Sequence, residues 1–424
     1  MRLRSALPLL AASGLALSAC GTSTEPPAPA SPGSASPGSA SPGSTSTASA
    51  VSSAPAASSK SEQDSPTPRL AVASPTGVTV LDATTLETVG TITIDDLAAI
   101  KPAGDGRHAI VSTADQFRVL DLGTWTDGHG DHGHYYTSEP RLIETSFDAG
   151  KPAHVVTHAG RIILFDDASG GIRSLAATDL GKDAPATLEY SAPEAHHGVA
   201  IELSSGERII SIGDSEQRTG LLAQAPDGTE LYRDENCPGV HGEATAAQEA
   251  FLVGCQDGVL VHRDGAFAKI PSPTEPGRIG TAAGQDSSPI VLTDYRETEN
   301  GPLTTVALVD TASMSIRTVE LGTEYTSRSL ARDADGHALV LGTDGAIHVL
   351  DPATGELIRA IPVIDSWEAP ESWKDPLPML HVQGGTAYVS DPSSDTIHAV
   401  DLASEEIVSA RLGNTPTGLA AVTG

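Results

Sequence analysis

A pattern that recurs every 39 to 53 residues constrains the fold of this chain more than any other feature. From Arg69 onward, a run of strand-forming residues, a turn rich in Gly and Asp, and a second run ending in Asp follow one another repeatedly. Repeats of this length, with several short strands each, are typical of a β-propeller in which every repeat forms one four-stranded sheet. The eight runs that we count begin near Leu70, Ala109, Ile162, Ile209, Phe251, Ile290, Ala338 and Ala387.

The two ends of the repeat region indicate how such a propeller would close. Residues 69–74 begin directly on a strand that comes second in the other repeats, and residues 417–422 resemble the missing first strand. A sheet shared by both ends removes unpaired strand edges. We therefore predict an all-β fold, a β-propeller of eight blades with seven as the alternative, in which one blade is closed by the N- and C-terminal strands.

Residues 1–68 lie outside the repeats and have the composition of an exported, anchored N-terminus. Residues 1–20 combine two arginines with a short apolar run, which is typical of a signal peptide and too short to span a membrane. Residues 17–21, Leu-Ser-Ala-Cys-Gly, resemble a bacterial lipobox, and this resemblance implies that Cys20 is lipid-modified after cleavage. An ordinary cleaved signal peptide is the alternative.

Residues 21–68 are rich in Ser, Pro, Gly and Ala and offer almost nothing to bury, so we predict a disordered tether. The folded domain of residues 69–424 would then be exported and held at the outer face of the cytoplasmic membrane by a lipid anchor. The formal net charge of −30 argues against nucleic acid or an anionic membrane surface as a partner of that domain. We expect a monomer that contacts the membrane only through its anchor.

Two of the three cysteines remain after the proposed lipid site is set aside, namely Cys237 and Cys255. In an oxidising compartment these two are expected to form a disulfide bond. A role as thiolate ligands of a metal is the less favoured alternative, because exported thiols usually oxidise.

Three histidines and two aspartates, separated by three glycines, occur within residues 127–134. The glycines disfavour a helix, and because we find neither a helical nor a strand period, we predict a loop or a mobile flap. Imidazole and carboxylate groups together are ligands that suit zinc, and also copper or nickel. The segment therefore predicts a metal site made by His129, Asp131, His132 and His134, with a His-rich surface loop as the alternative.

A second set of histidines recurs in phase with the repeats. His154, His197 and His241 precede the second strand of three consecutive repeats and are spaced 43 and 44 residues apart. The first strand of each propeller blade lines the central channel, so the three imidazoles should converge at one mouth of it, as in a zinc site. His196 is a candidate ligand or a partner of a ligand. The alternative is that these are structural histidines bonded to the backbone.

Five segments together resemble a known family: residues 127–136, 151–158, 195–200, 237–243 and 383–389. The combination is similar to the AztD-type periplasmic and cell-surface zinc metallochaperones of the Azt zinc ABC-uptake system, over essentially all of residues 69–424. The resemblance implies a β-propeller that binds Zn²⁺ at more than one site. It also implies that the protein delivers Zn²⁺ to the zinc-specific solute-binding protein of an ABC importer.

Two other functions are compatible with the same residues. A propeller face can act as a scaffold for protein or peptide partners, with the histidines incidental. A zinc ion held by three histidines, with an open fourth position, can also catalyse hydrolysis. The sequence contains neither a recognisable Ser/His/Asp elbow nor a convincing general base beside the histidines, so we predict that the protein is not an enzyme.

Overall fold

The computed structural model describes residues 60–130, 132–298, 301–372 and 374–424, and this part of the chain is almost entirely β-structure. The prediction of an all-β fold is therefore confirmed. Two short 3₁₀ helices, η1 (Ala177–Asp179) and η2 (Ala247–Glu249), are the helical segments of these ranges. No helix in them is both long enough and apolar enough to cross a membrane. Cys20, Asp131, the signal peptide and most of the predicted tether lie outside the described residues.

The strands are short, mostly of five or six residues, as the repeat predicts. The first eighteen are β1 (Ser61–Gln63), β2 (Arg69–Ser74), β3 (Gly77–Asp82), β4 (Thr88–Thr93), β5 (Ala99–Pro102), β6 (His108–Ser112), β7 (Gln116–Asp121), β8 (Thr124–His129), β9 (His132–Thr137), β10 (Arg141–Asp148), β11 (Pro152–His158), β12 (Arg161–Asp166), β13 (Gly171–Ala176), β14 (Thr187–Ser191), β15 (Ala200–Glu202), β16 (Arg208–Gly213), β17 (Arg218–Gln224) and β18 (Glu230–Asp234). The others are β19 (His241–Ala246), β20 (Ala250–Cys255), β21 (Gly258–Arg263), β22 (Ala266–Pro271), β23 (Ala282–Ala283), β24 (Ile290–Tyr295), β25 (Leu303–Asp310), β26 (Ser315–Tyr325), β27 (Leu330–Arg332), β28 (Ala338–Leu341), β29 (Ala346–Leu350), β30 (Leu357–Pro362), β31 (Met379–Gln383), β32 (Thr386–Asp391), β33 (Thr396–Asp401), β34 (Ile407–Arg411) and β35 (Gly418–Val422).

Within the described ranges these strands form eight four-stranded antiparallel sheets and one three-stranded sheet. Six of the four-stranded sheets take four strands consecutive in sequence, from β11–β14 to β31–β34. The first strands of neighbouring sheets contact each other, as in the series β19, β23, β27, β31, β35 and β5. This arrangement is propeller-like.

The two sheets at the start of the domain depart from the consecutive order. One has the strand order β35-β2-β3-β4, so the last strand of the chain pairs with the first strand of the repeat region, with Leu70 opposite Ala421. The other has the order β10-β7-β6-β5. The hairpin β8–β9 is inserted in the chain between β7 and β10 of this sheet.

The apolar core lies between neighbouring sheets, because both faces of a central strand are covered. All six residues of β2 and all six of β20 are buried, and such strands are apolar almost throughout. One core cluster joins Leu70 and Val72 to Tyr388 and Ile397, so the sheet of β31–β34 packs against the sheet that contains β2. The Tyr388 hydroxyl also donates a hydrogen bond to the carbonyl oxygen of Ala83 at 3.1 Å.

The hairpin β8–β9 contains the histidine-rich segment, for which we predicted a loop. That prediction is wrong, because residues 124–129 and 132–137 pair as regular antiparallel strands. The short strand β1 then adds to the free edge of β9, with Glu62 opposite Tyr136. Residues 61–63 fall inside the predicted tether of residues 21–68, so ordered structure begins before residue 69.

Cys237 and Cys255 form a disulfide bond, as predicted. Cys255 ends β20, Cys237 lies four residues before the start of β19, and both are fully buried. Closing a loop of this size contributes about 3 kcal/mol to stability in the chain-entropy account. The bond therefore fixes the segment that leads into His241.

Candidate metal centre

His154, His197 and His241 form one compact group, which we call the inner cluster. His154 lies on β11, His197 precedes β15 by three residues, and His241 begins β19, so the three come from the first strands of three successive sheets or their approaches. One ring nitrogen of each lies within 4.8 Å of the others. The Nε2 atoms of His154 and His197 are 3.4 Å apart, close to the separation of about 3.3 Å that two nitrogens have on a tetrahedral zinc ion.

Each imidazole of the inner cluster is held through its Nδ1 atom by an acceptor outside the cluster. The acceptors are Glu243 Oε1 for His154 (2.9 Å), Asp167 Oδ2 for His197 (2.7 Å) and the carbonyl oxygen of Gly280 for His241 (2.5 Å). An Nδ1–H that donates outward leaves the Nε2 lone pair facing the centre, and this is the tautomer that metal-binding histidines adopt. The residues present therefore fit a zinc ion bound by three Nε2 atoms.

Two carboxylates give the inner cluster its electrostatic character. Burial disfavours the charged form of His154, but the charge and hydrogen bond of Glu243 outweigh it and raise the pKa of His154. Burial likewise acts against ionised Glu243, yet His154 lowers the pKa of Glu243 to about 2. The pKa of Asp167 is also lowered, because its contacts with His197 and Lys151 outweigh burial. Both carboxylates are therefore ionised behind the imidazoles, where they favour a bound cation.

His241, the third imidazole of the inner cluster, is biased towards its neutral form, which is the form that binds a metal. Burial, together with the nearby His154, lowers the pKa of His241 despite its hydrogen bond to Gly280. The side chain of His197 is 39% exposed, so the centre is accessible from solvent on one side. Three imidazoles leave the fourth tetrahedral position open to water or to a ligand from another protein.

His196, which we also predicted as a possible ligand, does not join the inner cluster. It is buried, donates from Nδ1 to the carbonyl oxygen of Glu194 at 2.9 Å, and accepts at Nε2 from the hydroxyl of Ser211 at 2.8 Å. Its ring also packs against Phe165. Because both ring nitrogens are engaged away from the cluster, the structure removes His196 from the candidate ligands.

His129, His132 and His134 form a second group, the hairpin cluster. His129 is directly opposite His132 across the two strands, and Asp127 is opposite His134. Residues directly opposite each other, and residues two apart along one strand, lie on the same face of a hairpin. The three rings are accordingly in mutual contact, with centroids 4.5 to 5.2 Å apart. One nitrogen of each lies within 4.8 Å of the others, so the three histidines of the predicted site do lie together, whereas Asp131 is outside the described residues.

Glu62 on β1 is a member of this site that the sequence did not reveal. Its Oε1 atom accepts a hydrogen bond from Nδ1 of His134 at 2.7 Å, as Glu243 does from His154 in the inner cluster. Beside it, the ammonium group of Lys60 lies 3.9 Å from the centre of the Tyr136 ring. The segment was interpreted as tether because of its composition, and composition carries no signal for a contact 72 residues away.

Comparisons with known proteins identify chains that are similar to this one in sequence and fold. No protein-family model matches the chain. A curated relative, the zinc chaperone AztD of Citrobacter koseri, is 25% identical over 343 residues, which are 77% of this chain and 79% of the relative. That relative is named for a chaperone role, which is not enzymatic, in agreement with the prediction that this chain is not an enzyme.

Two solved structures of Citrobacter koseri AztD have the same fold. One matches with a TM-score of 0.75 at 24% identity, over 85% of this chain and 99% of that chain. The apo form matches with a TM-score of 0.73 at 23% identity, over 85% and 98%. A structure of the dihydro-heme d1 dehydrogenase NirN is more distant in fold, with a TM-score of 0.53 at 15% identity, over 83% and 74%. Over most of both chains, this chain is therefore similar to AztD in sequence and in fold.

Proposed function

We propose that this protein is an extracytoplasmic zinc-binding metallochaperone, acting as a monomer, that delivers Zn²⁺ to the solute-binding protein of a zinc ABC importer. The observation that carries the proposal is the inner cluster, in which one ring nitrogen of each of three histidines lies within 4.8 Å of the others and each imidazole is held through Nδ1 by an acceptor outside the cluster. The relative is named a zinc chaperone, which supports zinc as the cargo.

We further infer that the eight four-stranded sheets are the blades of one closed propeller, with β35 and β2 completing the blade at the chain ends. The pairing of β35 with β2, and the packing of the β31–β34 sheet on the sheet containing β2, support this inference. In such a ring the inner cluster lies at one mouth of the central channel.

The two clusters are suited to different steps of metal handling. The inner cluster is carried by strands that are packed between sheets, so its ligands are preorganised and should release metal slowly. The hairpin cluster lies on an inserted hairpin, and His129 and His132 are exposed. Direct handover requires ligands that a partner can replace one at a time, and an exposed hairpin allows this. We therefore assign storage to the inner cluster and transfer to the hairpin cluster.

Lipid anchoring through Cys20 is part of the proposal and is supported by residues 17–21 alone. Replacing Cys20 with Ala should release the protein from the membrane fraction or block its processing. A variant that stays membrane-bound and normally processed would show that Cys20 carries no anchor.

Alanine substitution of each cluster tests the division of roles. Replacing the three histidines of the inner cluster should abolish one tight zinc site, because no preorganised imidazole set remains. Replacing those of the hairpin cluster should slow zinc transfer to the purified solute-binding protein more than it lowers equilibrium affinity. Zinc titration and a transfer assay on both triple variants measure these effects.

The same pair of variants supplies its own control, since each retains the other cluster. Transfer by the hairpin variant at the parent rate would contradict the transfer role. Full stoichiometry and affinity in the inner-cluster variant would contradict the proposed function itself.

Zinc retention by the inner cluster should depend on pH. Protons compete with Zn²⁺ for imidazole, and the pKa of His154 is raised above its ordinary value by Glu243 despite its burial. Zinc retention is therefore complete above that raised pKa and is lost as pH falls through it, so the loss should begin above the ordinary histidine pKa of about 6.5. Dialysis against buffers of decreasing pH measures it, and unchanged retention at about pH 4 would point to carboxylate ligands instead.

Glu62 should strengthen zinc binding by the hairpin cluster, because it holds His134 in the tautomer that binds a metal. In a variant lacking the inner histidines, Glu62→Ala should weaken zinc binding by the hairpin about 10- to 100-fold. Glu62→Gln, which keeps an oxygen acceptor, should have a smaller effect. Glu87→Gln removes an exposed carboxylate beside β4 and serves as the control; equal affinities for all of these variants would exclude the role of Glu62.

A further inference from the structure

His158 ends the same strand, β11, on which His154 belongs to the inner cluster. Its side chain is only 5% exposed. Its Nε2 atom lies 3.1 Å from Oε1 of Glu249, whereas its buried Nδ1 atom has no hydrogen-bond partner among the described residues. The carboxylate of Asp286 lies 3.9 Å from that Nδ1 atom, beyond hydrogen-bond distance.

The contact with Glu249 determines which ring nitrogen of a neutral His158 carries the proton. Glu249 accepts hydrogen bonds from the backbone N–H and the hydroxyl of Ser204, at 2.8 and 2.6 Å, so its position is fixed. An ionised carboxylate can only accept, so Nε2 of His158 must be the donor. A neutral imidazole then presents a bare lone pair at Nδ1, and a buried acceptor without a partner costs about 1–3 kcal/mol.

Asp286 is positioned to share a cation with that lone pair. The hydroxyl of Thr245 donates to Oδ1 of Asp286 at 2.8 Å, which orients the carboxylate. The Asp286 side chain is 66% exposed, so a cation can reach it from solvent and the carboxylate can adjust. A nitrogen and an oxygen on a tetrahedral metal are about 3.3 Å apart, so an approach of about half an ångström from the present 3.9 Å suffices.

We propose that Nδ1 of His158 and the carboxylate of Asp286 bind a divalent first-row metal ion, Zn²⁺ foremost, at a site separate from both histidine clusters. Glu249 is a positioning residue that fixes the metal-binding tautomer of His158. Water completes the coordination shell. With one imidazole and one carboxylate in place of three imidazoles, the site binds zinc more weakly than the inner cluster.

The new site cannot share its metal with the inner cluster. His154 and His158 are four residues apart on one strand, a distance of about 13 Å. The inner cluster therefore lies near one end of the first strands of neighbouring sheets, and the His158 site lies near the other end. Three sheets contribute to the latter, through β11, through η2 between β19 and β20, and through Asp286 between β23 and β24.

Metal titration of the full chain tests the site. In a variant with all six histidines of the inner and hairpin clusters replaced by Ala, Co²⁺ absorption and Zn²⁺ calorimetry should detect one remaining weak site. His158→Ala should abolish it, and Asp286→Asn or Glu249→Gln should raise its dissociation constant at least about tenfold. Circular dichroism verifies that each variant is folded. If the six-histidine variant does not fold, His158→Ala in the otherwise unchanged protein should lower the saturating zinc stoichiometry by one.

Asp335→Asn is the matched control, because Asp333, Asp335 and His337 form another group with ligand atoms within 4.8 Å. Residual binding that survives His158→Ala but is lost in Asp335→Asn would overturn the proposal. A folded six-histidine variant that binds no metal would overturn it as well. Neither result bears on the proposed function, because that function depends on the inner and hairpin clusters, which the six-histidine variant lacks.

Discussion

Apolar packing between neighbouring sheets is the interaction on which the candidate metal centre depends. The three inner histidines are more than forty residues apart in sequence, and nothing local brings them together. Each has an apolar residue within two positions of it: Val199 and Val240 belong to a single core cluster, and the partly buried Val156 packs against that cluster. The disulfide bond lies in the same cluster. The imidazoles are therefore placed by the hydrophobic core, before any metal contributes to their arrangement.

The carboxylates behind the imidazoles convert this geometry into affinity for a cation. Glu243 and Asp167 are ionised in spite of burial because a histidine faces each of them. The same negative charge raises the pKa of His154 despite burial, so it favours a proton there when no metal is bound, and a bound metal would displace that proton. The hairpin cluster uses the same device with Glu62, but on an exposed element. A carboxylate hydrogen-bonded to a histidine Nδ1 is thus present in both the packed inner cluster and the exposed hairpin cluster.

The sequence predicted the fold class and both histidine groups, the inner one from its repeat spacing and the hairpin one from its density of histidines. The repeat length indicated the sheets, and spacings of 43 and 44 residues put the inner histidines in phase. The hairpin was missed because its glycines were read as loop signals, although His132, His134 and Tyr136 alternate as a strand requires. The sequence could not show whether His196 or His197 faces the inner cluster. Adjacent side chains point in different directions, and the direction of each depends on the local backbone conformation. Glu62 and Asp167 depend on contacts between distant segments, which no local pattern encodes.

The strand β1 has a mechanical consequence. It pairs with β9 over three residues and precedes β2, so it is the first strand of the described part of the chain, which begins at residue 60. A pull on the chain before residue 60 therefore loads β1 before it loads any of the four-stranded sheets. A strand pairing of three residues is weaker than the pairing within a four-stranded sheet. Tension would separate β1 from β9 and break the hydrogen bond between Glu62 and His134. The affinity of the hairpin cluster for a metal would then depend on the force along the chain.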